Sequence, residues 1–437
     1  MKRLWSALIP AAVFLFCAAC TSQPVEQVVA PSETEASVQT AAPDPTATPE
    51  PTPEPTPEPR VLSFSPATEI SKSKALSILV NDVSYTQNQS IDLALTITNN
   101  DSDVWSFNSF YGAINGWGFV FLPIEQYVNI EAGQSADINL TAALTPALDS
   151  ILNITELQAL DLVLFGYSAS GNPQNFYCDT LKNEACPADY VQSFPTVDSP
   201  VYESKTMRAG LIRLDWENRQ AYLFMDNLVS KTIFLDPIYP ALNGYGSEDA
   251  KTSCFLPANH GKTVICLDLS PIADSYGISE PKKLALSYEW TNQVGYGYGN
   301  QVAFSIPVDG GDELYTPEYD ETGDVWCDDE NVKLIYRGTT QTQYGDDGLE
   351  FLLINKTENK PLSIGPQQGL YFGEDRPWIN CGAIVAPGSA CVMTLSLYSM
   401  SGAPIFPADV PITGTLIINT SGFRTVASIK VDEQPAG

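Results

Sequence analysis

The chain has 437 residues, a formal net charge of −30 from 52 acidic and 22 basic side chains, and a single histidine. Such an acidic balance repels nucleic acid and anionic lipid head groups, so neither is expected to bind through a charged patch. Any Ser-His-Asp or Cys-His hydrolase would have to be built on His260, which sits in the PANHGK turn.

From the N-terminus, Lys2 and Arg3 precede the apolar run LWSALIPAAVFLF, which is too short and too early for a membrane span. Residues 1–19 are therefore expected to be a signal peptide. The run closes with CAAC, where Ala18 and Ala19 precede Cys20. This resembles the lipobox of bacterial lipoproteins, although Cys17 stands where that family usually carries Leu. The resemblance implies that Cys20 is lipidated on sulfur and becomes the new N-terminus, with several acyl chains giving firm anchoring. A plain secretory signal cut near Ala19 is the alternative.

Residues 20–60 are rich in Ser, Thr, Gln, Ala, Glu and Pro and end in PDPTATPEPTPEPTPEP, a composition that cannot bury a core. As polyproline II, the part from Pro43 to Pro59 would make a spacer of roughly 50 Å. A tether lifting the remainder from the membrane is expected.

Beyond it, runs such as IDLALTITN and GLEFLLIN alternate as strands do, turn residues separate them, and long helical periods are absent. The expected class is all-β. The octapeptides YGAINGWG (111–118) and YPALNGYG (239–246) share a shift of 128 with Asn99 and Asn227, and with Gly133 and Gly261. Asn355 and Gly388 continue the series. Repetition at this length predicts duplicated domains rather than a solenoid, with boundaries at 61–200, 201–322 and 323–437. Each copy reads as an opening strand, a strand ending in Asn, a Gly-aromatic segment, a hairpin around Gly133, Gly261 or Gly388, a short helical connection and a closing strand. About seven short strands per copy predict an antiparallel sandwich of immunoglobulin-like architecture, with barrels as the alternative.

This order, as in ITNND, INGWG, IEAGQS and LNITELQALDL, resembles the tandem immunoglobulin-like domains of lipoproteins from Gram-positive, Clostridia-like bacteria. The resemblance spans most of residues 70–430 and implies no particular activity. The third copy departs from it, with GLYFGEDRPW in place of the Asn-Gly segment.

Cys254 with Cys266, and Cys381 with Cys391, flank equivalent turns and are expected to form disulfides, as are Cys178 and Cys186 in CDTLKNEAC. Cys327 is left over. Outside the CAAC of the signal segment no C-x-x-C pair occurs, and there is no Walker A loop, G-x-G-x-x-G or H-E-x-x-H, so no cofactor, no metal and no enzymatic activity are expected. The acidic stretch DGGDELYTPEYDETGD (309–324) invites calcium but lacks the EF-hand order, and reads as a solvated linker. Trp117, Tyr245 and Trp378 are the candidate binding rings, able to stack on a sugar or anchor a protein. A core role is their alternative, and the Gly-Tyr run at 295–299 is a further loop candidate. Two functions follow: a lipid-anchored protein whose modules bind a protein or glycan partner at the cell envelope, or a structural or accessory envelope lipoprotein without a small ligand. Exposed rings would favour the first and buried rings the second.

Overall fold

Alternation in Ser90–Asn99 puts Ile91, Leu93, Leu95, Ile97 and Asn99 on one face, and a computed structural model buries that face completely. Most strands obey the same period-two rule, because successive side chains on a pleated strand point to opposite sides. The structure describes residues 59–71, 73–124, 128–171, 173–292, 300–308, 315–341, 347–372, 378–380, 384–398, 412–420 and 424–431. The described chain is nearly all β, its α-helices being the short Pro146–Leu152 and Ser270–Ser275. Thr145 caps the first by accepting from the Leu148 amide at 3.2 Å, and Asn153, left-handed at φ 46°, ends it.

Residues Arg60–Gly437 gather into one compact unit. Within that unit three large apolar clusters form, around Leu95 and Phe110, around Leu223 and Leu286, and around Phe351 and Leu416. Among the described residues the strands fall into sheets of 15, 10 and 4. Two of these sheets run from one sequence copy into the next, which the linear reading did not foresee.

Three buried asparagines show how closely the copies correspond. Asn99, Asn227 and Asn355 are each fully buried at the end of a strand. The side-chain oxygen of each accepts from the amide two residues on: Asp101 at 2.9 Å, Val229 at 3.0 Å and Thr357 at 2.9 Å. Their Nδ2 groups donate to the carbonyls of Asp103 and Ile130, of Lys231 and Pro257, and of Lys360 and Val385. Each amide thus ties the strand end both to its own turn and to the segment before the conserved-spacing glycine. A buried side chain with all these groups satisfied costs nothing in lost hydration and fixes the turn.

The expected Cys254–Cys266 disulfide is not formed; both are free thiols. The turn between them is no hairpin: Thr252–Leu256 pairs with Ile233–Leu242, whereas Lys262–Asp268 pairs with Gln220–Asn227. The chain crosses between sheets there. Cys254 enters the second core, while Cys266 points to the other face of its strand, opposite Tyr222. Burial raises the Cys254 thiol well above its usual range and pushes Cys266 up to about 11. The third copy crosses in the same way, with Ile384–Val385 on one sheet and the buried Cys391 on another; Cys381 lies outside the described residues. The Cys178–Cys186 bridge is not formed either, since Cys186 is a half-exposed free thiol 3.8 Å from the Pro187 carbonyl, while Cys178 is buried against the first core. Cys327 is also unbridged.

Candidate functional site

The repeated octapeptide builds the same device twice. Asn115 and Gly116 take φ of 53° and 86°, and Asn243 and Gly244 take 51° and 82°. Two left-handed residues in succession make the tight turn whose twist suits a hairpin, which is why Asn-Gly stands there. The turns join Ile114 to Trp117 and Leu242 to Tyr245.

Each turn asparagine is buried and clamps the stretch leading into the closing strand. Asn115 Nδ2 donates to the Glu156 carbonyl at 2.7 Å, and its Oδ1 accepts from the Gln158 and Ala159 amides at 2.7 and 3.2 Å. Asn243 does the same with the Glu280 carbonyl at 2.9 Å and the Lys282 and Lys283 amides at 2.6 and 3.0 Å.

The strand leaving each turn then docks on the following copy, in parallel. Lys262 pairs with Trp117, and Ala390 pairs with Tyr245. The Lys262 amide donates to the Gly116 carbonyl at 2.9 Å, and the Ala390 amide to the Gly244 carbonyl at 2.7 Å. Among the described strands these are the parallel pairings; the rest are antiparallel.

These junctions consume the rings singled out as ligand contacts. Trp117 has no exposed surface; its Nε1 donates to the Leu152 carbonyl at 3.1 Å, and its ring packs on Phe194 at 4.8 Å and on Phe224 of the next copy at 6.0 Å. Tyr245 is half-buried, stacked on Tyr276 at 4.3 Å and edge-on to Tyr319 at 5.3 Å, with its hydroxyl donating to the Glu318 carbonyl. The reading of Trp117 as an accessible binding ring is corrected, since its faces are spent on protein, and Tyr245 keeps only part of its ring open. Trp378 begins a strand that pairs with Tyr398 in its own copy, and its side chain lies outside the described residues, as do residues 293–299 with the Gly-Tyr run.

Sequence reasoning also missed the linkers. The Tyr319 hydroxyl donates to the carbonyls of Gly244 at 3.3 Å and Gly388 at 3.2 Å, so this part of the acidic stretch is a strap over the junction rather than a solvated linker. At the first junction Gln192 is the counterpart: its Oε1 accepts from Asn115 at 3.2 Å and Tyr190 at 2.7 Å, and its Nε2 donates to the Leu152 carbonyl at 3.0 Å. Neither residue type carries a sequence signal of its own; the recurring Asn-Gly they cover was the available clue. Burial raises the phenols of Tyr276 and Tyr319, as it does that of Tyr111 at the first junction.

His260 occupies a turn tip with φ of 65°, and its carbonyl accepts from Lys262 Nζ at 2.9 Å. Among the described residues no group of three or more His, Cys, Asp or Glu side chains is placed to hold a metal ion. Comparison with known families and with curated proteins found no matching family model and no matching protein.

Proposed function

We propose that the chain is a lipid-anchored extracytoplasmic protein, tethered through Cys20 and residues 20–60, whose three immunoglobulin-like modules are locked in a row as a structural or accessory component of the cell envelope. One observation carries this reading over ligand capture by exposed rings: Trp117 is fully buried, and its strand is hydrogen-bonded to the next copy in the register that Tyr245 repeats. A sheet shared between neighbours holds them without an added ligand, because strand pairing and apolar burial act together.

Two measurements on one preparation test it. Palmitate labelling and detergent-phase partitioning in a bacterial host should be lost in Cys20→Ser; a variant still labelled and still in the detergent phase would end the anchoring proposal. A protease site inserted within residues 309–314 should be cut without the copies parting in gel filtration. Separation after cutting would end the locked row.

A further inference from the structure

Each junction joins a donor, the strand after an Asn-Gly turn, to an acceptor, the strand that follows Gly261 or Gly388. Ser135–Ala143 holds the acceptor position in the first copy. Thr98 pairs with Ser135, Asp226 with Lys262 and Ile354 with Ala390, each one residue before a buried asparagine. Ser135 therefore stands where Lys262 and Ala390 stand, the two residues whose amides donate to the Gly carbonyl of the docked turn.

No further Asn-Gly pair in this chain is left to fill that position. The donors of the first and second copies are engaged with the copies that follow them, and the third copy has Phe372-Gly373-Glu374 where Asn-Gly would be. On its outer side Ser135–Ala143 pairs, among the described residues, through Thr141 and Leu140, opposite Leu122 and Pro123, and through the Asn139 carbonyl, which accepts from Ile124 at 3.0 Å. Among the described residues no strand pairs with Ser135–Asp137 on that outer side. Ser135, Asp137 and Asn139 are exposed, and next to them Leu122 and Ile124 are two of the large apolar side chains left open to solvent, at 42% and 72%.

An unpaired edge is a template for strand addition, and this one has the register the chain uses twice. We propose that the Ser135–Asn139 edge is a docking site for an Asn-Gly hairpin carried by a β-sandwich module of a partner protein. The hairpin strand adds in parallel, its glycine carbonyl accepting from the Ser135 amide and its apolar side chains covering Leu122 and Ile124. A second copy of this chain is not the occupant, because it could offer a hairpin only by opening one of its own junctions. The proposal goes beyond the locked row and does not need the lipid.

The test is hydrogen exchange on the full chain with a cyclised peptide of residues 237–249, PIYPALNGYGSED, at about 1 mM, a level suited to weak strand addition. With the peptide at about ten times its Kd, exchange in 134–139 should slow about tenfold, while 262–268 and 390–398, already paired, stay unchanged. Ser135→Pro removes the receiving amide and should abolish the slowing with the circular dichroism unaltered. Ile124→Asp, a surface change that leaves the strand intact, should weaken it and serves if the proline variant does not fold. Unchanged exchange in 134–139, or equal slowing by a cyclised peptide of scrambled order, overturns the proposal. Concentration-dependent self-association of the full chain, with 134–139 protected and no peptide present, overturns the choice of partner.

Discussion

The two junctions share a backbone plan and differ in what fills them. At the first, Tyr111 and Phe165 of one copy pack with Phe234 and Phe255 of the next, Tyr111 lying 4.9 Å from Phe234 and 5.6 Å from Phe255. At the second, the apolar contact is made by Ala241, Ala285 and Ala386, with Tyr239, the counterpart of Tyr111, buried in its own copy and the Ser287 hydroxyl donating to the Ile384 carbonyl at 2.6 Å. A void of about 10 Å³ remains there, near the unpartnered Ser389 hydroxyl. The hydrogen bond that sets register survived while the side chains diverged. Register is therefore the constrained part of this interface, and packing the adjustable part.

Ring truncation should break the comparison most clearly. Trp117→Ala removes a fully buried indole shared by two copies and is expected to cost about 3–5 kcal/mol. Tyr245→Ala removes a half-buried ring and should cost about 1–2 kcal/mol. Urea unfolding of the two variants would check the order, and equal losses would mean the junctions are energetically alike.

Alanine at the equivalent glycines sharpens the contrast. A Cβ on Gly118 would lie 2.2 Å from the Phe255 carbonyl oxygen, whereas on Gly246 its nearest neighbour is the Cys391 Cβ at 3.6 Å. Gly118→Ala should cost about 1–3 kcal/mol through forced separation, and Gly246→Ala less than about 0.5 kcal/mol. Proteolysis within 187–200 should accelerate in the first variant, and cleavage within 315–323 should stay at the wild-type rate in the second.

Alkaline pH tests a property common to both junctions. Tyr111 at the first and Tyr276 and Tyr319 at the second are raised by burial. The folded state favours the neutral phenols, so their contribution is fully present below the unfolded value of about 10 and is lost as pH rises through the folded values. The melting temperature should hold until about pH 10 and fall above it, and Tyr276→Phe should lessen the fall.

The smallest effect concerns the thiols. Without reductant, Cys254 and Cys266 should be silent to Ellman's reagent in the native protein and react once it is unfolded; silence after unfolding would mean they are bridged after all.

Much of the fold was legible because its signals are local. Alternation in Ser90–Asn99 named the buried face, and the shift shared by Asn99, Asn227 and Asn355 marked equivalent turns that prove identically bonded. The cysteines misled because a turn between paired strands and a turn between sheets look alike along the chain. Only the partners of Thr252–Leu256 and Lys262–Asp268 tell them apart. Trp117 was harder still: what buries it includes Phe224, from the next copy, and no local pattern announces a neighbour so distant in sequence.

The clamp on Asn115 and Asn243 bears on chemical ageing. Asn-Gly is prone to deamidation because the glycine nitrogen, unhindered by a side chain, can attack the asparagine amide carbon and expel ammonia. Here the amide is held by the Glu156 and Gln158 backbone in one turn and by Glu280 and Lys282 in the other, turned toward the closing strand. The same bonds that position each junction hold the side chain in place against that attack, so a folded copy keeps its asparagine and an unfolded one loses the protection.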